Sequence, residues 1–434
     1  MSILLRDCSW VVTQNASRDV LRDKSIYVED GTIGEIASKI AHEADRVIEC
    51  KDKIVMPGLI NTHTHLPMTL LRGYVDDMPL QEWLEKKIWP TERKLTGELS
   101  YQGALLGCLE MIRTGTTCFM DMYFFMEDVA RAVKKSGLRA FLSHAIIDLF
   151  DPERAEKDRE NTQRLHRFVQ NLGEPRIRFV LGPHAPYTCK EETLLRCKEI
   201  SEKEKILIHT HIAETKKEQA SFETKHGRRE VEYLDKIGFL SPRLVAVHGV
   251  WLTRNEIELF RNQGVKVSHC PVSNMKLGDG GVAPLPEMFE RGVTVSLGTD
   301  SASSNNCLDM FETMKICSLL HKAQRWDPTI LPAQKVLDLA TLGGAETLQI
   351  AEKVGSIEEG KAADIIALDL NAPNMMPIHG GDTVVSDLIY SAKGMNVSVT
   401  IVDGRLLMAE GKFQTIDEHE VYHAAQKAAM DLTR

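Results

Sequence analysis

Two His-Thr-His triplets stand in the chain, His63 to His65 in "NTHTHLPM" and His209 to His211 in "HTHIAET". On an extended strand, residues i and i+2 point to the same face, so two imidazoles at this spacing can aim at one ion. A helix would splay them apart. Only one histidine of the second triplet need be a ligand. Asp300, in "GTDSASSNN", offers a carboxylate after another apolar run. Three neutral imidazoles and one carboxylate suit Zn2+, with Fe2+ or Mn2+ as alternatives. A catalytic site of this type keeps one position for water, which then becomes a hydroxide source near neutral pH.

Such a set meets only if the fold brings distant segments together. Eight apolar, β-rich runs recur along the middle of the chain: "IVMPGLINTHTH", "TTCFMDM", "RAFLSHAI", "IRFVLGPHAPY", "ILIHTHIAE", "LVAVHGVW", "VKVSHCPVSN" and "VTVSLGTDS". Segments with helical spacing, such as "EETLLRCKEISEKEK", separate them. Strand–helix alternation implies parallel strands, and eight repeats imply a closed (β/α)8 TIM barrel over residues 56–355. An open doubly wound sheet is the runner-up, but no GxGxxG follows any strand. Most runs end in a chemically capable residue: His63, His65, Asp121, His144, His184, His209, His211, His248, His269 and Asp300. In a barrel these C-terminal strand ends share one mouth.

The two chain ends read differently from the middle. Both carry Asp-Gly turns between β-prone runs, at Asp30-Gly31 and Asp403-Gly404, a good hairpin signal. Residues 1–55 and 356–434 are therefore expected to pair into one small β-sandwich domain, followed by a terminal helix. The fold class is α/β with this added β unit.

Bulk properties narrow the function. The net charge is −9 and no basic block occurs, which argues against nucleic acid or an anionic membrane as partner. No apolar stretch approaches the ~18 residues of a membrane span. The start lacks a basic segment followed by an apolar core and cleavage site, so a signal peptide is not expected. Nine scattered cysteines without a CxxC pair read as reduced thiols of a cytoplasmic protein.

The HxH after strand one, the histidines ending strands five and six and the aspartate ending strand eight resemble the amidohydrolase superfamily. Within it, "NTHTHLPM", "GPHAPYTC", "HTHIAET", "VHGVWLT" and "GTDSASSNN" are similar to the branch that deaminates 5′-methylthioadenosine, S-adenosylhomocysteine, 5′-deoxyadenosine and related adenosines. By position the resemblance implies His63, His65, His211 and Asp300 as metal ligands. His211 rather than His209 is implied because the family ligand stands three residues before a Glu, here Glu214; His209 is expected deeper, as packing. The binuclear relatives' bridging Lys at the end of strand four is absent, which implies a single metal per subunit. Water on that metal would attack C6 of adenine. Glu214 would carry a proton from it to N1, His248 would hold the nucleophile or help deprotonate it, and Asp300 would pass a proton to the leaving ammonia.

The same resemblance suggests how the nucleoside is held. His184 would face the purine or ribose. Glu92 matches by offset a carboxylate that binds the ribose 2′- and 3′-hydroxyls. Trp83 would pack on the 5′ substituent, and Ser304 would line the pocket near Asp300. Arg159 matches, by offset alone, an arginine that grips the amino-acid carboxylate of S-adenosylhomocysteine; if it does not reach the pocket, small 5′ groups are expected instead. The family also implies a homo-oligomer, dimer or tetramer. Two competing expectations are another ring deaminase or chlorohydrolase of guanine, cytosine or triazine type, and a non-catalytic barrel scaffold.

Overall fold

The computed structural model describes residues 2–434. Strands β1 (Ser2–Val12), β2 (Val20–Glu29), β3 (Thr32–Ala37), β4 (Arg46–Glu49) and β5 (Lys53–Pro57) open the chain. The parallel series follows: β6 (Leu59–Thr64), β7 (Thr116–Tyr123), β8 (Arg139–Ile146), β9 (Ile177–Phe179) with its continuation β10 (Gly182–Pro183), β11 (Ile208–Ile212), β12 (Leu244–His248), β13 (Lys266–His269) and β14 (Val295–Leu297). Strands β15 (Ile365–Asp369), β16 (Val397–Val402), β17 (Arg405–Ala409) and β18 (Lys412–Phe413) return to the first sheet, and the helix Glu418–Thr433 ends the chain.

The series forms the expected (β/α)8 barrel from two half-sheets. Strands β6 to β10 make one and β11 to β14 the other. Backbone bonds close both seams. His209 N donates to Leu181 O at 2.8 Å and His211 N to His184 O at 2.9 Å. On the opposite side Asp300 N donates to His63 O at 3.0 Å, and the Asn61 amide reaches Thr299 Oγ1 at 2.7 Å. Helices start where capping residues follow the strands. Thr215 caps Lys216–His226 and Thr253 caps Arg254–Gln263, each in a reciprocal box with a glutamate three residues on.

The chain ends meet in one nine-stranded sheet, in which β15 pairs with β5 and β5 with β1. This sheet wraps its own apolar core, including Ile3, Leu5, Ile26, Val55, Ile365 and Ile401. It curls far enough for Ile33 N to donate to Lys361 O at 2.8 Å, just before β15. A buried ion pair ties the sheet to the barrel. Arg139 of β8 donates from Nε and Nη2 to both oxygens of Asp364, at 2.9 and 3.0 Å.

Candidate active site

Strand β6 is irregular against β7, with register shifts between Asn61 and Thr64. His63 and His65 come from this stretch. Gly298, at the end of β14, lets the chains close on it; a Cβ there would lie 2.8 Å from His63 Cβ. His248 and Asp300 both hold left-handed backbone, with φ of 73° and 61°. Non-glycine residues pay for that conformation, and such outliers gather where function fixes a side chain.

The ring nitrogens fit a cation. His63, His65 and His211 each offer a ligand atom within 4.8 Å of the others, and His63, His248 and Asp300 form a second such group. Asp300 Oδ1 lies 3.3 Å from His63 Nε2 and 3.4 Å from His65 Nε2. His63 Nε2 is buried without a hydrogen-bond partner. His65 Nδ1 donates to Met122 O at 2.6 Å, and His211 Nδ1 to His184 O at 2.7 Å. A carbonyl only accepts, so both rings carry their proton on Nδ1 and leave Nε2 bare. Burial, and then the charge of His63, lowers His65 to about 4, so its ring stays neutral. Burial opposes ionisation of Asp300, but the neighbouring His63, His65 and His248 rings hold it well below the usual carboxylate range. Neutral His65 and His211 rings facing an ionised carboxylate are the states a divalent cation requires.

His209 lies beside this set. Its Nε2 is 2.9 Å from His63 Nδ1. With a cation on His63 Nε2, the shared proton would sit on His63 and His209 would accept it. Its place is thus more specific than the packing expected of it.

Glu214 directly precedes the Thr215 cap and is buried, with Oε1 3.5 Å from His248 Nε2. Burial, with Asp279 and Glu218 nearby, pushes its carboxyl well above the usual range. The turn that presents it is held by Glu230, whose buried Oε2 accepts from Ala213 N at 2.8 Å. Burial lowers His248 to about 3, with His63 and His65 adding to it.

These groups floor a cleft of about 700 Å³. His65, His211, Glu214, His248 and Asp300 line it, together with the expected Glu92, Trp83, His184 and Ser304. His184 is oriented by Thr188, Nδ1 to Oγ1 at 3.1 Å. Glu92 accepts from the Tyr123 hydroxyl at 2.7 Å. Burial raises its carboxyl to about 7, against a smaller lowering by Tyr123. Trp83 is anchored by Nε1 donating to Val75 O. Ser304 shares hydrogen bonds with Ser273, which donates to Asp300 Oδ2 at 2.6 Å.

Three residues lie elsewhere. Arg159 pairs with Glu156 and lines a separate cavity beside Ile200 and Arg196. The structure does not bring it into the cleft. His144 bonds Asp158 at 3.0 Å, and His269 turns to His321 of the helix Met310–Arg325, Nε2 to Nε2 at 3.5 Å. Asp121 accepts from Leu66 N at 2.6 Å and so fixes the turn after His65. Sequence reasoning did not single out Tyr123, Ser273 or Asn274. A β-prone tyrosine one residue past "TTCFMDM" is the only signal for the first.

A metal-suited set at the mouth of a (β/α)8 barrel beside a sheet from both chain ends defines a class, and the comparisons agree with it. Residues 54–407 match the amidohydrolase family of metal-dependent hydrolases, and the chain belongs to it. It is 47% identical to the 5′-deoxyadenosine deaminase of Methanosarcina mazei, over 98% of this chain and 97% of that one. It is 45% identical to the 5-methylthioadenosine/S-adenosylhomocysteine deaminase of Thermococcus sibiricus, over 94% of each. Among solved structures, a zinc-bound adenosine deaminase of Xanthomonas campestris superposes with a TM-score of 0.94 at 35% identity, covering 99% of this chain and 98% of that one. No helix among the described residues is long and apolar enough to cross a membrane.

Proposed function

We propose that this chain hydrolyses 5′-modified adenosines to the inosine analogue and ammonia. The observation that carries this reading is the Glu214–His248 pair facing His63, His65, His211 and Asp300 at the floor of a cleft whose wall presents Glu92. His63, His65, His211 and Asp300 would hold one divalent cation, Zn2+ by donor type, with Fe2+ and Mn2+ as alternatives. That cation supplies Lewis-acid activation of water near neutral pH.

The chain's own groups handle the protons. Glu214 takes one from the attacking water and delivers it to N1, so that C6 accepts the new C–O bond. Asp300 takes the second and passes it to the departing amino group. The C6–N bond then breaks and ammonia leaves with the inosine analogue. Glu92, ionised, accepts from two vicinal hydroxyls, as a ribose requires. His184 faces the same cleft with its Nε2 unengaged by Thr188.

Composition of the wall supports a small apolar 5′ group. Among the described residues lining the cleft, Leu80, Trp83, Leu84, Ile88 and Ile147 are apolar and none is Lys or Arg. A zwitterionic amino-acid tail would find no cation for its carboxylate. We therefore read 5′-deoxyadenosine and 5′-methylthioadenosine as better substrates than S-adenosylhomocysteine.

All nine cysteines are free thiols, which supports a reducing, cytoplasmic setting. We read the chain as a homo-oligomer, for which Trp326, 94% exposed, offers apolar surface. The function is tested with a panel of 5′-modified adenosines and guanine on zinc-loaded protein, following the adenine-to-hypoxanthine absorbance change. Turnover of the adenosines but not guanine is expected. Inertness toward every adenosine sinks the proposal.

A further inference from the structure

Asn274 is buried in the helix Pro271–Leu277, which follows β13. Its side-chain nitrogen meets two acceptors at once: Asp279 Oδ2 at 2.9 Å and His248 Nδ1 at 3.0 Å. An amide nitrogen has two hydrogens and no acceptor capacity. Burial raises the Asp279 carboxyl to about 7; above that pH its carboxylate fixes which way the amide faces, because the amide oxygen on that side would meet another oxygen. The main chain holds the pair in place. Asp279 N donates to Asn274 O at 3.1 Å, and Trp251 Nε1 donates to Asp279 O at 2.9 Å.

We infer that Asn274, oriented by Asp279, is a positioning residue that sets the ring tautomer of His248. Because Nδ1 accepts from Asn274, the proton of the neutral ring resides on Nε2. That nitrogen is the one 3.5 Å from Glu214 Oε1, facing the reacting centre. His248 is then a hydrogen-bond donor and not a base. Of the two roles expected for it, holding the nucleophile survives and deprotonating it does not. Proton removal from water falls to Glu214 and Asp300, without His248. This inference rests on the deaminase reading for its catalytic meaning, although the tautomer itself does not.

The test is histidine-selective 15N NMR on zinc-loaded protein, with the His248 signals identified by their loss in His248→Gln. The expected wild-type pattern is a protonated Nε2 and an unprotonated Nδ1. Asn274→Ala should abolish that preference and lower kcat by about 10²-fold, the scale of one lost transition-state donor. KM should stay within about twofold, and zinc content should not change. Asp279→Leu removes the acceptor that anchors the amide and should shift the tautomer the same way, which keeps the test alive if Asn274→Ala does not fold. A wild-type signal with the proton on Nδ1 overturns the inference, as does an unchanged tautomer in a folded variant. Failure of the wild type to deaminate any adenosine, with the Nε2 proton observed, would instead sink the functional proposal and leave the tautomer standing.

Discussion

His209 and His63 share a hydrogen bond, Nε2 to Nδ1 at 2.9 Å, across the barrel from β11 to β6. The second His-Thr-His thus serves the first: His211 offers a bare Nε2, while His209 orients a neighbour's ring. Partners of this kind typically alter metal affinity about 10–100-fold when removed. His209→Ala should therefore weaken zinc binding by that factor in a competitive chelator titration, whereas His65→Ala should empty the site. Equal zinc loss in both variants would erase the distinction.

Glu214→Gln keeps the volume and the hydrogen-bonding reach of the side chain but cannot carry a proton. Zinc content should match the wild type, and kcat should fall by about 10²–10⁴-fold. A variant retaining near-normal turnover would remove Glu214 from proton transfer.

In the proposed ribose-binding role, Glu92 would give the binding step a pH dependence with a definite sign. Its carboxyl is raised by burial to about 7, so it is protonated below that pH and ionised above it. Only the ionised form accepts freely from two hydroxyls. KM should fall as pH rises through about 7, by at most about tenfold per pH unit for one titrating group. Glu92→Gln should flatten that dependence and raise KM at high pH by about tenfold, the scale of a lost charged hydrogen bond. An unchanged pH profile of KM would show that another group governs it.

Arg159 occupies a different cavity, so Arg159→Ala should leave kcat/KM within about twofold for every substrate. The wild type should favour 5′-methylthioadenosine over S-adenosylhomocysteine by about tenfold or more, because the latter's carboxylate stays unpaired in an apolar wall. A selective loss of S-adenosylhomocysteine turnover in Arg159→Ala would contradict both statements.

The Arg139–Asp364 pair is buried on both sides, 9% and 2% exposed. Asp364→Ala leaves the guanidinium with Asp403 alone, which is half exposed. Loss of one partner of a buried pair typically costs about 3–5 kcal/mol. Chemical denaturation should show a loss of that order; a change under about 1 kcal/mol would mean that Asp403 compensates.

Much of this site was legible in the sequence because period-two geometry is unforgiving. Two histidines at i and i+2 on a strand share a face in any fold, and eight apolar runs separated by helical segments leave few topologies besides a barrel. What remained hidden depended on which face a strand end presents. His144 and His269 end strands as His248 does, yet one reaches Asp158 and the other His321. Each helix position turns about 100° from the last, so an offset in a long charged helix could not say where Arg159 points. Asn274 was invisible for another reason. It does not titrate, and its effect lies in a hydrogen bond made across two elements.

The two half-sheets of the barrel divide the proposed ligands evenly between them: His63 and His65 belong to the first, His211 and Asp300 to the second. One cation gripped by all four would act as a rivet through both plates. By mass action its occupancy adds about 1.4 kcal/mol to the folded state for each tenfold excess of free metal over its Kd. A chelator would then take away reactivity and the clamp between the halves in a single act, so for this chain the metal supply of its surroundings is also a supply of mechanical integrity.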